Sequence, residues 1–317
     1  MMNKVVFLGT GAGMPTISRN VSSLALILNK SGDFFLFDCG EGTQQQLRKT
    51  QLKISKLKAI FISHLHGDHL FGLPGLLATR GLEGHKEPLQ IFGPVGLEEY
   101  LEKCFYYSRT HIPYCCKIRS ISKENFLGIK LLNKIQEYFI FCAYLNHQID
   151  SFGYSVIEQK IKKNIIVERL TGLGIKPGPI YKEIKEQKEI VLSNGEMHKT
   201  DNFMKKIIKI KKFCYCCDTS FSENAVVLAQ NADLLVHEAT FLECEKSEAE
   251  RSFHSTIKDA VRIAKEARVK NLALTHISSR YSKTKKNNSK NYHECINEEK
   301  KDFPSIILAE DLLEIDI

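Results

Sequence analysis

A heptapeptide rich in metal-binding side chains stands at residues 63–69, where the chain reads S-H-L-H-G-D-H. It directly follows the apolar run 59–62, which is typical of a β-strand. His64 and His66 alternate along the chain, so both side chains can face the same side of the strand end. Because imidazole nitrogens are preferred ligands of zinc, this half of the heptapeptide predicts one metal ion.

The second half of the heptapeptide adds a carboxylate to the imidazoles. Gly67 permits a tight reversal, which would bring Asp68 and His69 towards a second ion. A mixed set of imidazoles and carboxylates suits zinc, or manganese where the site is richer in oxygen. The alternative is an exposed His-rich loop that binds no metal.

Three further metal-binding side chains each come first after an apolar, strand-like run. They are His147 after 139–145, Asp218 after 213–217 and His276 after 271–275. Each could face the same sheet edge as the heptapeptide, although a single His or Asp at a strand end is usually structural. A hydrolytic centre with two ions about 3.5–4 Å apart needs about seven protein ligands. Together with the heptapeptide, these residues predict such a centre.

Composition is that of an ordinary globular protein. The 317 residues are 43% apolar and 26% charged, which excludes wholesale disorder and allows one large domain or two. Since no run of eighteen apolar residues occurs and the first residues read as a strand, we expect no membrane span, signal peptide or transit peptide.

The cysteines indicate the redox state of the cellular compartment, and the net charge does not identify a binding partner. Ten cysteines are scattered along the chain, and the C-x-x-C at 214–217 has no second pair. Reduced thiols in a reducing compartment are therefore favoured, with a structural zinc at 214–217 as the alternative. The net charge of +8 is compatible with a polyanionic partner but does not require one.

The predicted strands and helices divide the chain into two halves of similar order. Strands are predicted at 5–8, 24–28, 34–37, 59–62, 88–93, 138–145, 153–158, 213–217 and 233–236, and helices at 70–83, 96–107, 222–230 and 255–267. Each half has strands first and helices after, which favours two sheets packed face to face with helices outside, as one α/β unit. The glycine-rich segment 9–13 could instead cradle a phosphate, but no Gly-Lys-Ser/Thr follows it.

Longer strings surround the candidate ligands. They are F-L-G-T-G-A-G-M-P-T at 7–16, R-N-V-S-S at 19–23, F-D-C-G-E-G-T-Q at 37–44, L-F-G-L-P-G-L-L at 70–77, H-E-A-T-F at 237–241, F-H-S-T at 253–256 and T-H-I-S-S-R-Y at 275–281. These strings resemble ribonuclease Z, a family of the metallo-β-lactamase superfamily that trims precursor-tRNA 3′ ends, and are similar to its cyanobacterial and plastid-type short forms. The resemblance implies a single metallo-β-lactamase domain over 1–317, an αββα four-layer sandwich with a protruding exosite arm.

The same resemblance implies a ligand set for two Zn²⁺ per subunit, with Mn²⁺ as an alternative. It assigns His64, His66 and His147 to one ion, Asp68, His69 and His276 to the other, and Asp218 to both as a bridge. The segment Y-C-C-D-T departs from the family pattern, because many members have small residues before this aspartate.

Roles in catalysis are also implied by the resemblance. Asp68 would accept the proton of the attacking water, and His254, oriented by Glu238, would donate a proton to the leaving 3′-oxygen. Without the family, Glu238 would be interpreted as a surface carboxylate and His254 as a neighbour of a helix cap. The expected products are a 3′-hydroxyl on the tRNA and a 5′-phosphate on the trailer.

A Lys-rich segment punctuated by glycine and proline spans 158–188. Its motif at 172–179 resembles the Gly-Pro motif of the flexible ribonuclease Z exosite, an arm that grips the tRNA elbow. Candidate RNA-binding residues are Gly178, Pro179, Lys162, Lys163 and Lys176. In short forms the arm of one subunit serves the active site of the other, which implies a homodimer. A solvated loop is the alternative.

Two other functions remain open from the sequence. One is a dinuclear phosphodiesterase or esterase that acts on a small substrate, and the other is an inactive RNA-binding scaffold. The expected location is the cytoplasm, with the plastid stroma as the alternative if the gene is plastid-encoded.

Overall fold

The computed structural model describes residues 2, 4–125, 128–191, 195–281 and 292–317. The strands are β1 Lys4–Gly9, β2 Gly11–Ala12, β3 Ser23–Ile27, β4 Phe34–Phe37, β5 Leu57–Phe61, β6 Leu89–Pro94, β7 Cys116–Ile121, β8 Ile129–Ile135, β9 Tyr138–Leu145, β10 Ser151–Ile165, β11 Glu189–Val191, β12 Met197–Lys199, β13 Met204–Cys216, β14 Leu234–Glu238, β15 Asn271–Thr275, β16 Ile277–Ser278, β17 Ile306–Leu308 and β18 Glu314–Asp316. The helices are α1 Thr43–Arg48, α2 Gly67–Leu70, α3 Leu73–Leu82, α4 Leu97–Ser108, α5 Val167–Thr171, α6 Ile180–Glu186, α7 Glu223–Ala229, α8 Lys246–Ser252, α9 Ile257–Glu266 and α10 Tyr292–Glu299. None of these helices combines the length and apolarity that a membrane span requires.

Most strands of the described residues belong to two seven-stranded sheets. The first has the order β18-β1-β3-β4-β5-β6-β7 and is parallel from β4 to β7. The second has the order β17-β15-β14-β13-β10-β9-β8 and is parallel from β13 through β14 and β15 to β17. In each parallel part the carboxyl ends of the strands share one sheet edge, which is where ligands bind in open α/β sheets.

Apolar clusters on both faces of each sheet create four layers. Between the sheets, the Phe61 ring stacks on Phe37 at 5.1 Å and on Phe92 at 5.0 Å, and Phe37 also meets Phe213 of the second sheet at 5.3 Å. Outer clusters join the first sheet to α3 and α4 and the second sheet to α7 and α9. Burial on both faces explains why these strands are continuously apolar instead of alternating.

Three predicted elements have different bounds in the structure. The strand predicted at 153–158 continues to Ile165, and the strand predicted at 213–217 begins at Met204. These extensions are rich in lysine and have no continuously buried face, so the periodicity of apolar residues could not reveal them. The helix predicted at 70–83 corresponds to α3, Leu73–Leu82, whereas Leu70 is the last residue of α2, and Phe71 and Gly72 separate the two helices.

The chain divides into two compact units. The first comprises Met1–Ile157 and Lys211–Ile317, and the second comprises Glu158–Ile210. The second unit has its own small core, in which Leu170, Ile184 and Phe203 are buried. The segment predicted as an arm, 158–188, lies within this unit, which extends further along the chain than the prediction.

Candidate metal centre

The predicted metal-binding heptapeptide follows β5, and its second half forms the short helix α2. At Gly67 the chain enters this single helical turn, and the glycine does not have a left-handed φ. A Cβ at this position would lie 2.2 Å from the ring of the exposed Phe71, which would have to move to accommodate it. This close approach lets α2 place Asp68 and His69 beside the strand end.

The first ligand group consists of His64, His66, His147 and Asp218. His66 Nδ1 lies 3.1 Å from His64 Nε2 and 3.3 Å from His147 Nε2. Asp218 Oδ2 lies 3.5 Å from His64 Nε2 and 3.8 Å from His147 Nε2. Atoms about 2.0–2.1 Å from a zinc ion lie about 3.3 Å apart in a tetrahedron, so these spacings suit one ion.

The second ligand group surrounds the other oxygen of Asp218. Asp218 Oδ1 lies 3.3 Å from His69 Nε2 and 3.2 Å from His276 Nε2. Asp68 Oδ2 lies 3.3 Å from His69 Nε2 and 3.4 Å from His276 Nε2. Cys217, which the sequence did not predict as a ligand, also belongs to this group. The structure thus brings six of the seven predicted ligands into two groups that share Asp218, and the seventh, Asp68, contacts two histidines of the second group.

The donor set fits metal cations. Asp218 is buried, and its Oδ1 accepts no hydrogen bond from the described residues. A buried acceptor without a donor is uncommon in folded proteins and is satisfied when a cation binds. Imidazoles and carboxylates that converge in this way are typical ligands of zinc or of a harder divalent ion.

The pKa values of the histidines in the two ligand groups are shifted in opposite directions. Burial and the neighbouring His69 lower the pKa of His64 well below its usual value, so His64 is in the neutral form that binds metals. Burial also disfavours the charged form of His69, but Asp218 and Asp68 outweigh it and raise its pKa well above the usual value. Metal binding at the second group therefore displaces a proton, and its affinity falls as the pH falls.

Asp38 orients His69, a member of the second ligand group, by a hydrogen bond. It accepts hydrogen bonds from His69 Nδ1 at 2.8 Å, from the Ser63 hydroxyl at 2.8 Å and from the Tyr215 hydroxyl at 2.7 Å. Donation by Nδ1 leaves His69 Nε2 free to bind an ion and fixes the ring orientation. Asp38 was not among the predicted site residues, although its position directly after a strand was a usable signal.

Glu238 positions His254 by a direct hydrogen bond and the predicted ligand His276 through Thr240. Its Oε1 accepts from His254 Nδ1 at 2.8 Å, and its Oε2 accepts from the Thr240 hydroxyl at 2.5 Å. Thr240 in turn accepts from His276 Nδ1 at 2.8 Å. The interpretation of Glu238 as a surface carboxylate is wrong, because the side chain is fully buried. Thr240 was missed, since its role depends on a contact across 36 residues.

His254 lies beside both ligand groups. Its ring centroid is 5.1 Å from that of His147 and 5.4 Å from that of His276. Two residues later, Thr256 caps α9 through a capping box with Asp259, which fixes the chain at this point. Burial lowers the pKa of His254, but the Glu238 carboxylate outweighs it and raises the pKa to about 9. His254 is therefore protonated at neutral pH.

The glycine-rich segment after β1 packs against the centre. Gly11 and Ala12 form β2, which pairs with β16 directly after His276. The backbone N–H of Gly13 donates to Asp68 Oδ2 at 2.8 Å. The next helix, α1, begins only at Thr43, so the phosphate-cradle alternative has no structural support.

The C-x-x-C alternative is also not supported. Cys214 packs in the outer cluster of the second sheet, whereas Cys217 packs between the sheets. Because strand residues an odd number apart face opposite sides, these two thiols cannot hold one structural zinc together.

Comparisons with known proteins decide the family. Residues 3–109 match the family model for anti-Pycsar protein Apyc1, and residues 139–277 match the β-lactamase superfamily domain. Ribonuclease Z of Trichodesmium erythraeum is 42% identical over 314 residues, which cover 99% of this chain and 95% of the relative. The chain belongs to the ribonuclease Z family.

Other ribonuclease Z relatives extend the match beyond cyanobacteria. Ribonuclease Z of Bacillus cereus strain AH187 is 41% identical over 308 residues. The match covers 97% of this chain and 97% of the relative. The crystal structure of human tRNase Z, short form, is 31% identical with a TM-score of 0.70 and 98% coverage of both chains. The predicted α/β metallo-β-lactamase fold and the predicted ribonuclease Z family are confirmed.

Proposed function

We propose that this chain is a metal-dependent endoribonuclease that removes the 3′ trailer from precursor tRNA. It leaves a 3′-hydroxyl on the tRNA and a 5′-phosphate on the trailer. The observation that carries the proposal is the hydrogen bond between the buried Glu238 and the partly buried His254, 2.8 Å between Oε1 and Nδ1, beside two converging groups of metal ligands. Phosphodiester hydrolysis with an alkoxide leaving group needs such a proton donor.

Two zinc ions per subunit are the proposed cofactors, with manganese as the alternative. Histidine supplies most of the first ligand group, and a carboxylate shared with the second group suits a pair of ions. Zinc bound there would lower the pKa of water and neutralise charge on the phosphate oxygens.

Two side chains of this site would move protons. Asp68 accepts a proton from the attacking water, and the Gly13 N–H holds its carboxylate in position. His254 donates a proton to the departing 3′-oxygen, and Glu238 keeps His254 protonated and oriented. Acceptor and donor are therefore different residues, as in-line displacement requires.

The second unit is proposed to bind tRNA. Between residues 158 and 210 the chain has twelve Lys and Arg against seven Asp and Glu, so this sixth of the chain accounts for most of the net charge of +8. The predicted RNA-binding residues are all exposed: Lys162, Lys163, Lys176, Gly178 and Pro179. Exposed lysines bind phosphates by releasing counterions, which makes affinity depend on salt.

Replacing Lys162, Lys163 and Lys176 with alanine together is expected to weaken precursor binding and to reduce the slope of log K against log salt by about one per lysine. Filter binding over a salt series measures both quantities. Hydrolysis of a small diester should not change. The matched control removes three exposed lysines of the first unit, Lys53, Lys86 and Lys103, and should retain the wild-type slope. If the variant that lacks Lys162, Lys163 and Lys176 also loses diester hydrolysis, the role of this segment is structural.

A homodimer is proposed in which the second unit of one subunit serves the active site of the other. The likeness of 172–179 to the ribonuclease Z exosite and the full-length match to a short form support this arrangement. Co-expression of Asp68→Ala with the triple-lysine variant is expected to restore about a quarter of the wild-type sites by random assortment. In purified mixed dimers one site of the two, that is about half of the sites, should be active, and their activity at subsaturating precursor measures this. Mixed dimers no more active than the average of their parents would contradict it.

The proposed location is a reducing compartment that makes precursor tRNA. No disulfide bond joins any of the ten cysteines, all of which lie in the part of the chain that the structure describes. The bacterial cytoplasm meets this condition, and the plastid stroma is the alternative.

A comparison of substrates tests the proposed function. We expect the zinc-loaded protein to cut a precursor tRNA much faster, as kcat/KM, than a chromogenic small diester. Diester hydrolysis without cleavage of any precursor would support a small-substrate phosphodiesterase. Tight tRNA binding without bound metal or hydrolysis would support an inactive scaffold.

A further inference from the structure

Phe253 is an exposed aromatic residue directly before His254, the proposed proton donor. Its side chain is 40% exposed and belongs to none of the hydrophobic clusters of the described residues. Its backbone carbonyl accepts a hydrogen bond from Nδ1 of His147, a predicted ligand of the first group, at 3.0 Å. Phe253 is therefore held beside the metal centre, but neither the proposed ligand set nor the proposed proton transfers use its ring.

The backbone conformation of Phe253 is one that favours glycine. Helix α8 ends at this residue, which has a left-handed φ of 56°. The N–H of His254 then donates to the carbonyl of Ala249 at 2.9 Å, as in a Schellman helix end. Glycine is the usual residue at this position, because a Cβ makes the left-handed conformation less favourable. An exposed ring offsets little of that cost by burial, so folding alone does not explain a phenylalanine here.

Other exposed apolar side chains lie next to residues of the centre. The exposed Met14 follows Gly13, whose N–H donates to Asp68. Phe71 is 64% exposed, and its ring lies against Gly67 of the metal-binding heptapeptide. Exposed apolar side chains that gather at one place mark a surface that binds a ligand. Since a bare phosphate gains nothing from such side chains, they favour a ligand that also has an apolar face, such as an unpaired nucleobase.

The proposed proton transfer specifies which base would reach Phe253. His254 donates to the departing 3′-oxygen, and the ribose that carries this oxygen also carries the discriminator base, the last base of the tRNA. Because the His254 side chain is only 16% exposed, this ribose must come close to the segment that holds Phe253. Unpaired bases at the ends of RNA helices commonly stack on aromatic side chains of the proteins that bind them.

We propose that the ring of Phe253 stacks on the discriminator base of the precursor. Stacking there holds the ribose so that its 3′-oxygen lies at the His254 ring. Because every base has a π face, this contact accepts any of the four bases but not a nucleotide without a base. The proposal rests on the proposed function and adds a substrate-binding residue to the same site.

A cycle of two changes tests the contact. One change is Phe253→Gly in the protein, and the other is an abasic nucleotide at the discriminator position of the precursor. Each change alone is expected to lower kcat/KM about 10–100-fold, and both together little more than either one. Phe253→Trp should retain the wild-type value on the intact precursor. The matched control is Tyr107→Ala, which removes an exposed aromatic side chain from α4 and should not change kcat/KM. Losses that multiply in the double change would overturn the contact.

Phe253→Gly also separates substrate binding from folding. Glycine suits the left-handed conformation, so the variant should unfold at about the wild-type temperature. Its backbone carbonyl can still accept from His147, so the metal content and the hydrolysis of a small diester should not change. Loss of metal or of diester hydrolysis would show that the ring is structural and would overturn the proposal.

The wild-type protein distinguishes this proposal from the proposed function without any variant. Equal kcat/KM values on the intact and the abasic precursor would overturn the stacking contact and leave the function intact. If the protein hydrolyses a small diester but cleaves neither precursor, the proposed function fails, and the stacking contact fails with it.

Discussion

Replacing Asp68 with alanine is expected to lower kcat for precursor-tRNA cleavage about 10³-fold or more, while the Kd for the precursor stays nearly constant. Asp68 Oδ2 contacts His69, His276 and the Gly13 N–H, so its carboxylate lies beside the second ligand group, and its side chain keeps 11% exposure to solvent. It is the proposed acceptor of the proton that the attacking water loses. Single-turnover cleavage and filter binding measure kcat and Kd separately.

Asp68→Asn separates proton transfer from metal binding. The amide oxygen still accepts from the Gly13 N–H and can still reach an ion, but it cannot take a proton at neutral pH. We expect two zinc ions per chain by elemental analysis and almost no turnover. Glu83→Ala is the matched control, because this exposed carboxylate pairs with Arg48 and should not affect kcat. Normal turnover by Asp68→Asn would rule out the proposed role.

Replacing His254 with glutamine is expected to lower kcat for precursor tRNA about 10²–10³-fold. His254 donates to Glu238 and is next to both ligand groups, so it can reach the leaving 3′-oxygen. A chromogenic diester with a nitrophenolate leaving group needs no proton donor. Its hydrolysis should therefore stay within a few-fold of wild type. Equal losses on both substrates would show that His254 is structural.

The pH dependence of kcat is an independent test of proton donation by His254. Because the Glu238 carboxylate raises the pKa of His254 to about 9, the protonated donor is present at neutral pH and is lost as the pH rises through that value. Glu238→Gln removes the raising charge, so the alkaline limb of kcat should move to lower pH by about one unit or more. An alkaline limb that does not move in this variant would contradict the pairing.

Local and regularly spaced signals made most of the ligand set predictable. His64, His66, Asp68 and His69 are contiguous, so one strand and one turn place them together. The ligands that follow β9, β13 and β15 could be predicted because a polar residue after an apolar strand marks the sheet edge. The order of strands and helices likewise predicted two packed sheets.

Contacts that join distant parts of the chain could not be predicted. Asp38 and Thr240 act through histidines 31 and 36 residues away, and no spacing rule specifies such pairs. The close approach of the Phe71 ring to Gly67 likewise could not be read from the spacing of residues. Cys217 was interpreted only as a departure from the family pattern, because the sequence does not show which side of the strand end it faces.

Mapping of the cleavage products tests the central claim most directly. The zinc-loaded protein is incubated with a precursor tRNA that carries a 3′ trailer, and the new ends are determined by mass spectrometry. We expect one cut next to the discriminator base, a 3′-hydroxyl on the tRNA and a 5′-phosphate on the trailer, with no product from Asp68→Ala. A 3′-phosphate on the tRNA, cuts scattered along the RNA, or the same products from Asp68→Ala would contradict the account.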